Sequence, residues 1–379
     1  MVILKLRKLA LVLHRYAGII AGILLVTISL TGSLLVFSGE IEHFFQPQLL
    51  TVVPQEQVIS AQQISDVAKI AYPNFKTHRL IVPEYPNWVY EVMMQSPKAE
   101  SINVYINQYT GEVTGSRPWK QSLGGFLIDL HVHLLSGDIG GQVVGVCGVI
   151  LLLMGVTGLI LWNGWHNLKQ GLRLRWNAPG KLVNYDLHKL GGMVSVTLLS
   201  LLAFTGTAMV FWTPVEAAMH SLTQTPLPPP APVSKVVAGV PPMGIDDLLQ
   251  KAQATFPAAK FYKIFPAKEP EDAFSVWMHL SDENEFNKTP WLYFDQYTGE
   301  LLQIKSFNKA PFASQFMEAM VVLHFGEYGG WVSKVVYFII GLSPLGLLIT
   351  GLIMWQQRRW AEARRKEAKT VARRTLESH

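Results

Sequence analysis

Residues 14–37 read HRYAGIIAGILLVTISLTGSLLVF, and residues 188–212 read HKLGGMVSVTLLSLLAFTGTAMVFW. Both runs exceed the ~20 apolar residues needed to cross a ~30 Å hydrocarbon layer. Both open on a histidine followed by a base, place glycine within the next turn, and carry a Thr-Gly step further along. His14 stands 174 residues before His188, and Thr31-Gly32 stands 174 residues before Thr205-Gly206. A spacing shared over a whole span marks an internal duplication.

The duplication extends outward from these two runs. Leu130-His131 recurs as Leu323-His324. At the same 193-residue offset, Gly158-Leu159-Ile160-Leu161-Trp162 recurs as Gly351-Leu352-Ile353-Met354-Trp355. Tyr109-Thr110-Gly111-Glu112 recurs as Tyr297-Thr298-Gly299-Glu300. The chain reads as two copies of span, soluble segment, span. Both copies enter from the same side, so the repeats are parallel and related by an axis along the membrane normal.

Composition agrees. Of 379 residues, 49% are hydrophobic, which is too apolar for an ordinary soluble enzyme. The apolar residues gather in four blocks, Leu11 to Phe37, Gln142 to Trp162, Gly191 to Trp212 and Trp331 to Trp355. The first is too long for a signal peptide and no small-x-small cleavage site follows it, so it reads as an uncleaved anchor. Lys5, Arg7, Lys8 and Arg15 flank the first block, while Lys169, Arg173, Arg175 and Lys181 lie between the second and third. Arg358, Arg359, Arg364, Arg365, Lys366, Lys369, Arg373 and Arg374 follow the fourth. Segments rich in Lys and Arg stay in the cytoplasm, which predicts cytoplasmic termini. The long segments 39–130 and 214–330 hold more acids than bases and are expected outside. The net charge of +5 is then a topology signal, with no pointer to nucleic acid, and the basic tail reads as an anchor against anionic lipid.

The predicted fold is an α-helical integral membrane protein, a four-helix bundle from two parallel repeats with two α+β modules. Residues 1–38 form the first span and 39–130 the first module. Residues 131–163 are the second span with the turn before it, 164–186 a cytoplasmic loop and 187–213 the third span. Residues 214–322 hold a Pro-rich linker and the second module, 323–356 the fourth span with its preceding turn, and 357–379 the basic tail. Within the modules, Ser60–Tyr72 and Gly244–Phe256 show helical periodicity and end before Pro73 and Pro257. Trp88–Met94 and Phe274–Leu280 read as strands, Tyr-Thr-Gly-Glu as a turn between strands, and Gln224–Met243 as an extended linker.

Ionisable residues in spans are costly and point to function. The repeat sets His14 and His188 at the starts of spans one and three. His131 and His324 precede spans two and four, so each face of the membrane receives one pair. Neutral imidazole is an axial ligand for haem iron and also suits copper or zinc. Gly18 and Gly192, each four residues after a histidine, leave a bare patch on the same helix face where a flat ring can lie. Arg15 and Lys189 are placed to meet haem propionates. A lone divalent metal needs neither clearance nor bases and wants more ligands. The competing reading makes these interfacial histidines, with Gly18 and Gly22 a helix-packing motif. His133 is a second-choice ligand, since Gly326 stands at its place in the second half. His166 reads as interface anchoring, His43 and His220 as surface groups, and His78 and His279 as module residues, with His379 terminal. Trp88, Trp119, Trp277 and Trp291 could furnish apolar contacts to a bulky acceptor, but each reads first as core and none is placed in the site.

Several chemistries are excluded. Cys147 is the only cysteine, so intrachain disulfides, iron–sulfur clusters and covalent haem attachment are out, and Cys147 reads as a packing residue. There is no dinucleotide fingerprint and no Walker A motif, so any electrons must come from a separate donor. No Ser/His/Asp or HExxH set supports hydrolysis.

With the paired Leu-His and Tyr-Thr-Gly-Glu motifs and the His14 and His188 span starts, the chain resembles the PepSY-associated transmembrane family over nearly its full length. It is especially similar to the branch of inner-membrane ferric-siderophore reductases to which a ferrioxamine reductase belongs. That resemblance implies four spans, two periplasmic PepSY modules and b-type haem in the bundle. It carries the family's ligand histidines onto His14 and His188 for an inner haem and onto His131 and His324 for an outer one, hence two non-covalent haem b. The implied activity takes electrons from a cytoplasmic or quinol donor to a periplasmic ferric siderophore, of hydroxamate type. PepSY modules also occur in inhibitory and sensory proteins, so the alternative is a haem-free protein that binds a periplasmic partner.

Overall fold

The computed structural model describes residues 2–280, 290–326 and 328–377, with no side chains described beyond position 370. His379 and the side chains of Arg373 and Arg374 lie outside the described residues. The first long helix, α1 (Val2–Leu35), is followed by α2 (Ser38–Phe45), α3 (Pro47–Leu50) and α4 (Ala61–Ala71). Strands β1 (Lys76–Ile81), β2 (Tyr90–Gln95), β3 (Ser101–Ile106) and β4 (Val113–Pro118) come next, then α5 (Leu123–His133) and α6 (Gly137–Leu161). After the short α7 (Leu168–Gly171), the second half gives α8 (Gly180–Val210), α9 (Trp212–Thr223) and α10 (Ile245–Thr255). It closes with β5 (Lys260–Phe265), β6 (Phe274–His279), β7 (Trp291–Phe294), β8 (Leu301–Lys305), α11 (Phe312–Phe325) and α12 (Gly330–Glu377).

Among the described residues, α1, α6, α8 and α12 are long and apolar enough to cross a membrane. The chain is a multi-pass membrane protein. These four helices make one compact unit. Small residues bring them together. A Cβ on Gly148 would sit 2.1 Å from Thr207 Oγ1, and one on Gly341 would sit 2.1 Å from Ser33 Oγ. Cys147 packs as expected, 3% exposed, with Ala21 and Leu25.

Two helix bounds differ from the expected spans. Helix α8 begins at Gly180, well before 187, because its charged first turns are neutralised internally. Asp186 is fully buried and accepts from Arg175 Nε at 2.8 Å and Nη2 at 2.9 Å, with Lys189 Nζ at 3.2 Å. Helix α12 runs on through the segment read as a tail. That stretch alternates Ala, Glu, Lys and Arg, all strong helix formers, and Arg358 pairs with Glu362 one turn on at 3.0 Å.

The second unit joins the two expected α+β modules in one sheet. Its eight antiparallel strands run β4-β3-β2-β1-β5-β6-β7-β8. The join is β1 against β5, where Leu80 pairs with Ile264 and each is the fifth residue of its strand. A strand pairing antiparallel with its own repeat partner is a local two-fold contact. It pairs the β1 and β5 edges, leaving β4 and β8 as the edges of the sheet. One cross-strand row, Val104, Val92, Leu80, Ile264, Val276 and Leu292, is fully buried against α4 and α10 in a single core. A capping box of Ser60 and Gln63 opens α4, and Gln62 Oε1 accepts the Ile245 amide at 2.8 Å, tying α10 to it. The Tyr-Thr-Gly-Glu turns form as read, with Gly111 at φ +74° and Gly299 at φ +66°.

Candidate functional site: a histidine-lined cavity among the long helices

Helix α1 brings His14 and helix α8 brings His188 to one cavity of about 510 Å3 in the helical unit. That size falls in the ~300–1,000 Å3 range of cofactor and small-molecule sites. Its walls are largely apolar, with Leu25, Leu151, Met154, Leu199, Leu347 and Leu348 among them. Gly18 and Gly192 line it with the histidines, as their spacing predicts. The motif reading of Gly22 also has a counterpart, since a Cβ there would meet Leu348 Cδ1 at 2.5 Å.

The two imidazoles face one another with ring centroids 6.3 Å apart and planes at 87°. Imidazole nitrogens bind first-row metals at roughly 2 Å. Two rings sharing one ion would therefore have centroids roughly 6.4 Å apart, once each nitrogen-to-centre distance is included. The observed separation fits an ion held between them. Among the described residues no cluster of three or more His, Cys, Asp or Glu could hold a metal. Two imidazoles alone suit a macrocycle that supplies the remaining ligands.

Each histidine is received by a Thr-Gly step on another helix. His14 Nδ1 lies 3.0 Å from Thr157 Oγ1 and 3.1 Å from the Met154 carbonyl. His188 Nδ1 lies 2.9 Å from Thr350 Oγ1, with the Leu347 carbonyl as its backbone partner. Each threonine hydroxyl donates its one proton to the carbonyl four residues back, at 2.7 Å in both. Its oxygen can then only accept, so Nδ1 must carry the proton and Nε2 keeps its lone pair for a ligand. The following glycine clears the ring. A Cβ on Gly158 would meet His14 Cε1 at 3.4 Å, and one on Gly351 would meet His188 Cε1 at 3.4 Å.

His131 has the same setting on α5. Its Nδ1 lies 3.1 Å from Thr31 Oγ1 and 2.8 Å from the Ile28 carbonyl, and Thr31 donates to the Thr27 carbonyl at 2.8 Å. A Cβ on Gly32 would approach His131 Cε1 to 2.8 Å. His133, by contrast, lies against α6, where a Cβ on Gly141 would meet its Cδ2 at 3.6 Å. His324 sits in the last turn of α11 in the sheet-bearing unit, and Gly326 ends that helix at φ +71°.

The two bases differ. Lys189 lines the cavity, but its three donors meet Asp186 and the carbonyls of Gln170 and Arg173. Arg15 lines it as well, together with Arg358, which the sequence reading did not place there. Two further readings need correction. His220 is 2% exposed and bonded through Nδ1 to Thr225 at 2.9 Å, so it is buried rather than a surface group. Trp277 and Trp291 lie on the sheet face opposite the core row, because the strand alternation that buries Val276 and Leu292 turns them outward.

Thr157 and Thr350 were missed although a signal existed. Thr31-Gly32 and Thr205-Gly206 stood out as markers of the repeat, and Thr157-Gly158 and Thr350-Gly351 complete one such step per long helix. Comparison with curated proteins gives no match. The sequence profile of the PepSY-associated TM region matches residues 11–358, from just before His14 to just beyond Trp355. With nearly the whole chain covered, this protein belongs to the PepSY-associated TM family.

Proposed function

We propose that the protein is a haem-dependent inner-membrane reductase that passes electrons across the bilayer to a periplasmic ferric siderophore, releasing iron as Fe(II). The observation that carries this reading is the facing pair His14 and His188, each with Nδ1 tied to a threonine and Nε2 left for a ligand. These two hold one haem b. His131, in the same Thr-Gly setting, and His324, from the sequence repeat alone, hold the second. Haem supplies one-electron redox chemistry that no side chain here offers.

The chain's own residues set the conditions for it. Thr157 and Thr350 orient the imidazoles and raise their basicity through the Nδ1 hydrogen bond. The leucine and methionine walls keep water out. Arg15 and Arg358 offer positive charge to propionates, while Lys189 holds Asp186. The basic residues around α1, α7 and α12 favour cytoplasmic termini and a periplasmic sheet. No nucleotide-binding motif is present, so the electrons come from a separate cytoplasmic or quinol donor. Fe(II) binds hard oxygen ligands more weakly than Fe(III), so reduction frees the iron.

The test uses purified protein supplied with haem. A b-type spectrum, reoxidation of the dithionite-reduced protein by a ferric siderophore, and trapped Fe(II) are expected. A colourless protein after reconstitution would favour the haem-free binding role instead. Reaction only with other periplasmic oxidants would remove the siderophore assignment.

A further inference from the structure

The fourth long helix outruns its repeat partner. Gly158–Trp162 corresponds to Gly351–Trp355, and each tryptophan stands five residues past the threonine that receives a histidine. Both tryptophans line the cavity. In the first copy the helix stops there, with α6 ending at Leu161 and Trp162 as its C-cap. In the second copy α12 continues to Glu377, about 33 Å beyond Trp355 at 1.5 Å per residue. The matching copy closes its side of the cavity without any such length, so the extension serves something else.

Its charge points to what that is. Between positions 356 and 370 stand Arg358, Arg359, Arg364, Arg365, Lys366 and Lys369 against Glu362 and Glu367. Every residue from 358 to 370 is exposed. Arg358, Arg365 and Lys369 are seven and four apart, so they form one stripe along the helix, with Lys366 flanking it. The stripe starts at the cavity, which Arg358 lines together with Arg15. Glu362 pairs with Arg358 at 3.0 Å and lies in the field of Arg15 and Lys366 as well, so the acid is outnumbered. Arg359 lies over the Trp355 ring, 5.0 Å from its centre.

Lipid is a poor partner for the outer part of this stripe. From Gly351 to Glu377 there is no further Gly or Pro to turn the helix into the membrane plane. Lying in that plane also needs an apolar face, and positions 361–370 hold only Ala, Glu, Arg, Lys and Thr. With Trp355 at the interface, Arg364 to Lys369 stand about 13–21 Å past it. Charges on the lipid surface are felt over only ~8 Å at physiological salt. A quinol is uncharged and comes from the hydrocarbon, so it gains nothing from these bases.

We infer that the basic stripe of α12 docks an acidic soluble iron–sulfur protein, which supplies electrons to the haem at His14 and His188. The inference rests on the reductase reading and selects among the donors that reading leaves open. The reduced carrier gives up one electron, its cluster is oxidised by one, and the haem iron passes from Fe(III) to Fe(II). No bond breaks and no proton moves. Complementary charge speeds such encounters and makes their rate fall steeply with salt.

The test mixes a reduced, strongly acidic [2Fe–2S] ferredoxin with the haem-loaded full chain in nanodiscs of zwitterionic lipid. The second-order rate of haem reduction should fall at least tenfold between about 50 and about 500 mM salt. At low salt R365Q/K366Q/K369Q should lower it at least tenfold, while R365K/K366R/K369R should retain most of it. Dithionite should reduce the haem of wild type and both variants alike, which checks folding. Equal ferredoxin rates in wild type and the Gln variant, or a rate indifferent to salt, overturns the docking stripe. Reduction by a water-soluble quinol analogue but not by ferredoxin overturns it too, and returns the donor to the bilayer. So does a spin label on C147A/K366C that reports burial among the headgroups of anionic nanodiscs, which would make the helix a lipid anchor. Interferometry on the same full chain tells the two readings apart. Salt-dependent ferredoxin binding that the Gln variant loses, in a chain that takes up no haem, keeps the stripe and removes the reductase. Fe(II) release from a ferric siderophore by dithionite-reduced protein that ignores ferredoxin does the reverse.

Discussion

The two halves of the chain are alike among the long helices and differ on the sheet. In the helical unit, a Cβ on Gly158 would lie 3.4 and 3.8 Å from His14 Cε1 and Nδ1, and one on Gly351 repeats both distances at His188. On the sheet, one half carries Arg79, Met93, Asn103 and Arg117 where the other carries Lys263, Trp277, Trp291 and Lys305. The difference teaches where the symmetry is needed. In the function proposed above the two imidazoles share one ion, and a like pair of ligands is served by both copies of the Thr-Gly step. A sheet face has no such partner, and each copy is free to specialise.

The strongest way to break the comparison is to remove one histidine at a time. His14→Ala and His188→Ala should each halve the haem content in a pyridine haemochrome assay, and by the same amount. Unequal losses would show that the pair is not symmetric. His131→Ala should remove the other haem while His133→Ala does not; the opposite result would move the ligand to the neighbouring turn.

Gly32→Ala comes next. A new methyl 2.8 Å from His131 Cε1 forces the ring to move, whereas alanine at Gly158 or Gly351 makes only a tight contact at 3.4 Å. Haem retention on dilution should fall clearly for the first and little for the other two. Equal behaviour of all three would remove the glycine's role as clearance for the ring.

Thr157→Val and Thr350→Val sharpen the equivalence further. Losing a hydrogen bond worth about 0.5–1.5 kcal/mol weakens the imidazole as a donor to ferric iron and raises the midpoint potential by about 20–65 mV. Redox titration should show similar positive shifts for both variants, with the haem still bound. No shift in either would mean the hydroxyls do not act on the ligands.

The smallest effect is a pH dependence confined to the first half of the sheet. Burial pushes the Glu91 carboxyl above the usual range, with Glu42 adding to it and Arg79, Arg117 and Lys263 opposing. The folded chain then holds the proton to higher pH than the unfolded chain does. Stability therefore falls as pH rises from the ordinary glutamate value through the raised folded one. Glu91→Gln should lack that slope in thermal unfolding. Its counterpart Ser275 does not titrate in this range, so Ser275→Ala should keep the wild-type slope.

Much of the architecture was legible because it depends on period and length. Four apolar runs, the repeat offsets and the Gly111 and Gly299 turns each follow from local sequence. The early start of α8 was not, since Asp186 and Lys189 look like loop residues until Arg175 is seen beside them. The same holds for His220, whose burial depends on α9 lying against α11 through Ser314 at 3.4 Å.

Sequence alone determined that the chain spans a membrane, that paired motifs recur at fixed spacings, and that His14 and His188 hold matching places in them. Hydrocarbon demands long apolar helices, and a repeat copies every residue at one spacing, so both leave marks readable in one dimension. Only the tertiary structure decided that two modules share one sheet through Leu80 and Ile264, which of two neighbouring histidines meets a Thr-Gly step, and which face of β6 and β7 the tryptophans occupy. Those outcomes depend on register and on groups far apart in the chain. A single residue's shift in strand register turns a side chain from core to surface, and no local pattern specifies which partner strand sets it.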